Sequence, residues 1–174
     1  MRKITLTPEQ LAHAREIGRK RQSKAIDEGR KDGQGLQATL EEDLDIHVRG
    51  ALGEQAFAAL FGGTVTVGYA GKPTDVRGVE VKHVWRPTDH LILPKTQKRY
   101  FHHNGRWRPL PAAVIVGSPP TFHYAGWAYA TDVMLVEYCR QMQAGRPEVF
   151  AVPLHVLETS DPPMTSEEDE TDDE

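Results

Sequence analysis

The run Ala112-Ala113-Val114-Ile115-Val116-Gly117 carries no polar side chain on either face of a strand. A strand of that kind is buried on both sides, so it reads as the centre of a sheet and needs a packing layer above and below it. Strand-like stretches surround it. Thr64–Tyr69, Val79–Trp85, His90–Leu93 and Phe122–Tyr129 are expected strands, as is Val149–Leu154, where Pro153 favours an edge. Three helices are expected to cover them. Thr7-Pro8-Glu9-Gln10 has the residues of a capping box with proline at the first helical position, and opens a helix to about Glu28. A second helix runs from Leu40 or Asp43 to Phe61, where Gly62-Gly63 stops it, and a third from Asp132 to about Met142 after Thr131. The fold class is therefore α/β or α+β, a central mixed β-sheet flanked by helices.

Two glycines, Gly50 and Gly53, lie inside the second helix, each costing about 1 kcal/mol against alanine. That cost points to close packing of the helix on the sheet, with Glu54 beside whatever it packs on.

Charge divides the chain into parts. Residues 158–174 hold nine acids and no Lys or Arg, leaving 21 basic against 16 acidic residues over 1–157. The organisation expected is a basic N-terminal helical arm over 1–34, a core over 35–157 and an acidic tail over 158–174 that is low in complexity and disordered. The tail reads as a solubility device, or as a competitor of nucleic acid for the basic body. The first helix, with Arg15, Arg19, Lys20, Arg21 and Lys24, reads either as a DNA-backbone arm or as a solvated surface helix; a dimer contact is also open. The single Cys139 excludes an internal disulfide framework and a multi-cysteine zinc site, and reads as a small buried hydrophobe in the third helix. No apolar run approaches the ~20 residues of a membrane span and no signal peptide is seen, so a cytoplasmic protein with no membrane partner is expected.

Chemistry is concentrated at Asp75-Val76-Arg77-Gly78-Val79-Glu80-Val81-Lys82. Arg77-Gly78 signals a turn, and the alternation after it puts Glu80 and Lys82 on one face of a strand. Paired carboxylates hold a hard divalent cation through oxygen. A lysine beside them can orient a water or stabilise charge building on a phosphate. Taken alone, Glu-x-Lys on a strand is equally a surface ion pair of little worth.

The order of parts resembles the PD-(D/E)XK nuclease superfamily, in particular its small phage and prokaryotic members. In that restriction-endonuclease-like fold a helix supplies a glutamate, a hairpin supplies an aspartate and Glu-x-Lys, and a βαβ-like half completes the sheet. The resemblance covers about residues 43–157 and matches Glu54, Asp75, Glu80 and Lys82 to the family's catalytic positions. It departs where Thr74 separates Pro73 from Asp75, and where His83 follows the lysine in place of a small hydroxyl residue. The implied activity is a Mg²⁺-dependent DNA endonuclease, with Mn²⁺ as a substitute. Asp75 and Glu80 would bind the ion with the Val81 carbonyl as a third oxygen. Glu54 would bind directly, through water, or to a second ion, and Lys82 would position the attacking water. Holliday-junction resolvases are a loose match within the same resemblance and imply a homodimer. A non-catalytic DNA-binding protein on the same scaffold is the reading from another class.

Arg86 to Pro109 follows the Glu-x-Lys strand and carries Arg86, Lys95, Lys98, Arg99, Arg106 and Arg108 against one acid, Asp89. With Tyr100, Phe101 and Trp107 interleaved, it reads as a DNA-contacting segment beside the metal, with Arg19, Lys20 and Arg21 of the first helix as further contacts. A solvated hairpin is the plain alternative. His102-His103-Asn104 lacks the spacing of a ββα-metal or finger site and reads as phosphate-touching or solvent-facing. Trp85 either packs at the sheet edge or lines a DNA groove.

Overall fold

In the computed structural model, which describes residues 1–29, 40–68, 75–142 and 144–166, the apolar run forms strand β6 (Pro111–Ser118) inside a four-stranded sheet. The other members are β1 (Arg2–Thr5), β2 (Glu80–Val84) and β7 (Thr121–Tyr129), in the order β1-β7-β6-β2. β2 runs parallel to β6, and the other neighbours are antiparallel. Ala113 and Ile115 face a helical layer, α1 (Pro8–Asp27) and α2 (Leu40–Phe61). Ala112, Val114 and Val116 face a second core against the sheet β3-β9-β8, built from β3 (His90–Pro94), β8 (Cys139–Arg140) and β9 (Val149–Pro153). The two packing layers that an all-apolar strand requires are both present, and the class is mixed α/β.

β7 keeps both faces apolar by a different device. The register with β6 shifts between Val114 and Ile115, so Ala125 is an extra residue on β7. The bulge changes the strand's parity, and Tyr124 and Trp127, three apart, both reach the helical core. The hairpin β4 (Tyr100–His103) and β5 (Arg106–Pro109) turns at Asn104-Gly105, φ 48° and 72°. Two consecutive positive φ angles are the I′ signature of a two-residue hairpin.

Several expectations are corrected. Thr64–Gly68 forms no strand: Val65 is buried, but the carbonyls of Thr66 and Gly68 accept from Arg21 and Lys24 of α1 instead of from a neighbouring strand. Tyr69, Pro73 and Thr74 lie outside the described residues. β1 was not anticipated; it lies along β7, with Arg2 opposite Tyr124. The helix expected over 132–142 is a short α3 (Ala130–Val133), a 3-10 turn at Val136–Tyr138, and β8. Thr131 donates its hydroxyl to the Asp132 carboxylate, so it caps nothing, and pairing of Cys139 and Arg140 with β9 overrides the local helical pattern. Cys139 is therefore a half-buried strand residue. β9 is a middle strand, not an edge; Pro153 is tolerated because it is the last residue of the strand. The βαβ-like half is not seen among the described residues, since β6 and β7 are antiparallel neighbours joined at residues 119–120.

The two ends of the chain also differ from expectation. α1, expected as an arm, buries Ala14, Ile17 and Gly18 in the same core as α2, with Gly18 so close that an added Cβ would lie 2.6 Å from Val48 Cα. The part of the tail over 158–166 is held on the body. Glu158 bridges Trp127, the Ser160 carbonyl accepts from Tyr124, and buried Thr165 exchanges hydrogen bonds with Arg77. Its two acids there are themselves engaged, Glu158 through its backbone and Asp161 with Arg2, which composition averaged over the whole tail conceals. Residues 167–174 lie outside the description. No helix among the described residues is long and apolar enough to cross a membrane.

Candidate active site

The outer edge of β2, the last strand of the sheet among the described residues, is where the four matched residues meet. Asp75 precedes a tight turn in which Val76 bridges Val79, with Arg77 at φ 49° and Gly78 at φ 77°. Arg77 is an unusual residue for positive φ. Its guanidinium holds it there, donating from Nη1 to the Phe61 carbonyl at 2.7 Å and from Nε to the Thr165 carbonyl at 3.0 Å. The turn folds Asp75 back beside β2, where its Oδ2 accepts from the Val81 amide at 2.8 Å. In a strand a residue's N–H and C=O point to the same side. The Val81 carbonyl therefore faces the Asp75 edge, away from β6.

α2 is set against β2 by Gly53. A Cβ there would lie 2.7 Å from His83 Cβ, so only glycine permits this approach. Glu54 follows directly and is 3% exposed. Gly50 is different: a Cβ there would meet nothing within 4 Å. It lines a cleft of about 460 Å³ together with Glu54, Asp75, Glu80, Val81 and Lys82. The expectation of close packing thus holds at Gly53 alone.

Electrostatics at this edge are tightly coupled. Burial, then the charges of Glu80 and Glu54, push the Asp75 carboxyl well above the usual aspartate range, against the opposing pull of Lys82 and the Val81 amide. Burial also raises Glu54, opposed by the hydrogen bond and charge of Arg21. Burial works against the Lys82 ammonium, but Glu80 and Asp75 outweigh it and hold its pKa above the ordinary lysine value. Lys82 forms an ion pair with Glu80. Arg21 from α1 spans both oxygens of Glu54 at 2.5 and 2.6 Å and also donates to the Thr66 carbonyl at 2.6 Å. Burial of His83 lowers its pKa, opposed by its bond to the Gly117 carbonyl at 2.8 Å and aided by nearby Arg49.

The donor chemistry suits a hard divalent cation: Glu80 pushes up the carboxyls of both Asp75 and Glu54, and a strand carbonyl faces the same edge. The arrangement is less closed than a formed metal centre. Among the described residues no three of His, Cys, Asp and Glu gather closely enough to hold an ion. Glu54 is bridged by Arg21 and Glu80 is paired with Lys82. Asp75 and Glu80, with Val81, are the residues best disposed to hold a cation, and Glu54 is the one most occupied elsewhere.

None of the nine bases expected to contact DNA lines this cleft. Arg21 points inward to Glu54. Lys20 pairs with Glu16, and Arg19 lines a separate groove with Glu41 and Glu42. Lys95 pairs with Glu148 at 2.6 Å, and Arg99 donates to the Met134 carbonyl at 2.9 Å. Arg86 and Lys98 are exposed, as are Arg106 and Arg108, which share one face of β5. Reading the bases missed Arg49. Its signal was helical spacing: Ile46, Arg49, Gly50, Gly53 and Glu54 fall on one stripe of α2. Arg49 stands 5.7 Å from the Trp85 ring centroid, and both line the cleft. His102 packs edge-on to exposed Trp107 at 5.4 Å on the hairpin, and neither lines the cleft. Comparison with protein-family models, with curated proteins and with solved structures found no match to the chain.

Proposed function

We propose that the protein is a divalent-metal-dependent DNA endonuclease with a restriction-endonuclease-like core. One observation carries this reading: Glu54 on α2 lines one cleft with Asp75, Glu80 and Lys82, which lie on the β2 edge and are distant from it in sequence. Asp75 and Glu80 would hold Mg²⁺ or Mn²⁺, with the Val81 carbonyl as a third oxygen. The ion would polarise a phosphoryl oxygen and lower the pKa of a water. Lys82, 31% exposed at its side chain, reaches the solvent of the cleft and orients the water that attacks phosphorus as the P–O bond breaks. Glu54 and Arg21 act behind this set as a fixed charge pair. Cutting both strands of a duplex would call for two such sites and hence a homodimer.

A second reading, DNA binding without catalysis, is favoured by the cationic partners that Glu54 and Glu80 already have. Incubation with supercoiled plasmid, linear duplex, single strand and a four-way junction, in Mg²⁺, Mn²⁺ or EDTA, separates the two. Metal-dependent cleavage lost in Asp75→Asn and Lys82→Ala is expected. Cleavage surviving Asp75→Asn, or absent with every substrate and metal, would overturn the nuclease reading. Independently of activity, Mn²⁺ should raise the melting temperature of the wild type and not that of Asp75→Asn.

A further inference from the structure

The mouth of the cleft has a composition of its own. Trp85 is 44% exposed and Ile46 41% exposed, and both line the cleft beside Arg49. The Trp85 indole is supported edge-on by the His83 ring at 5.2 Å, while His83 is anchored to the Gly117 carbonyl. Arg49 is held to Asp45 at 2.8 Å. In the same lining, Gly50 leaves the α2 backbone open, with nothing within 4 Å of an added Cβ.

Charge argues against binding by phosphate neutralisation alone. Among the described residues, Arg49 and Lys82 are the cations lining the cleft, facing three carboxylates, and the exposed bases of the β4–β5 hairpin do not line it. Affinity for a polyanion there needs another source. Grooves for single strands draw it from aromatic platforms on which bases stack, aided by arginine. A volume of about 460 Å³ is that of a pocket for a small ligand, as a single nucleotide is. We infer that Trp85, Arg49 and the open backbone at Gly50 take an unpaired nucleotide of DNA, so that the substrate is single-stranded or locally unpaired. This rests on the nuclease reading: the base stacks on Trp85 and its phosphate passes Arg49 toward Lys82.

The test is binding of fluorescein-labelled oligothymidylate and of a blunt duplex of equal length, in EDTA so that no strand is cut. Wild type, Trp85→Tyr, Trp85→Leu and Arg49→Gln are compared, each with its melting temperature. The expected result is tighter binding of the single strand, weakened about tenfold in Trp85→Leu and largely kept in Trp85→Tyr. Arg49→Gln should weaken it as well, with duplex binding nearly unchanged in all three. Unaltered single-strand affinity in a folded Trp85→Leu protein would overturn the inference, as would equal losses for single strand and duplex. Absence of cleavage would sink the nuclease reading without touching this binding result. Duplex cleavage indifferent to Trp85 would sink the inference and leave the nuclease reading standing.

Discussion

The guanidinium of Arg21 on α1 and the carboxylate of Glu54 on α2 form a two-pronged pair, 2.5 and 2.6 Å, behind the cleft that Glu54 lines. The pair is mostly out of water, with side chains 18% and 4% exposed. Removing one partner leaves the other charge buried and uncompensated, at a cost of about 3–5 kcal/mol. Arg21→Ala should therefore be strongly destabilising by denaturant unfolding. Arg21→Lys should be partly so, because an ammonium cannot match both oxygens and the Thr66 carbonyl together. The double variant Arg21→Met/Glu54→Leu should recover most of the loss. A double variant no more stable than Arg21→Ala would show that the pair holds the helices by more than charge.

Gly50 and Gly53 look alike in sequence and should respond oppositely to alanine. At Gly53 the new Cβ would meet His83 Cβ at 2.7 Å, so α2 must move off β2. Overpacking of this kind costs about 1–3 kcal/mol. At Gly50 no atom is within 4 Å, and the helix should gain up to about 1 kcal/mol from alanine's propensity. Thermal melts of the two variants give the sign of each. A stabilised Gly53→Ala protein would contradict the packing of α2 on β2.

His83 makes stability depend on pH. Its folded pKa lies below the usual value of 6.5, because burial disfavours the imidazolium. A group with a depressed folded pKa gives stability that is present above its unfolded pKa and lost as pH falls through its folded one. The contribution of His83 should thus be lost below about pH 6.5, against the opposite trend from the raised carboxyls of Asp75 and Glu54, which wild type and variant share. His83→Gln, which keeps a donor for the Gly117 carbonyl but cannot take up a proton, should lose less over the same range. The measurement is melting temperature from pH 7.5 to 5, in EDTA. Parallel curves for the two proteins would remove His83 as the cause.

How much of this was legible beforehand follows from what each residue depends on. β6 was readable because a strand with no polar face has one place to go. α1 was readable because Thr7 and Gln10 hydrogen-bond each other's backbone within four residues, and both halves of the box are formed. The turn after Asp75 was readable from Arg77-Gly78. What stayed hidden depends on distant partners. Nothing local in Thr64–Gly68 says that its carbonyls will be taken by Arg21 and Lys24. Nothing near Cys139 says that Phe150 will pair with it and end the helical pattern. At the site, the grouping of four residues was visible from their order, but the engagement of Glu54 by Arg21 was not. A basic residue on an amphipathic helix reads as solvated until the helix is packed.

The segment after Leu157 supports the turn that carries Asp75. Thr165 is buried, its amide donates to the Arg77 carbonyl at 2.9 Å, and its own carbonyl accepts from Arg77 Nε. Gly78 lies so close that an added Cβ would be 2.8 Å from Thr165 Cγ2. Upstream, the amide and carbonyl of Glu158 pair with those of Trp127 at 2.8 Å, and Gly126 leaves room for the strap to lie on β7. Truncation after Leu157 removes these bonds, each worth about 1 kcal/mol, and uncovers Trp127. Truncation after Ser166 removes residues 167–174, seven acids and Thr171, and leaves these bonds in place. The shorter protein should melt several degrees lower, at about 2–4 °C per kcal/mol for a chain of this size. The longer should melt close to the full chain. Amide exchange at Val76 and Val81 should quicken only in the shorter one, because the turn then loses the contact that keeps Asp75 on the edge of β2. Equal melting of both truncations with the full chain would make residues 158–166 a passive covering, and Asp75 would have to be held by the Val81 amide and the Arg77–Phe61 bond alone.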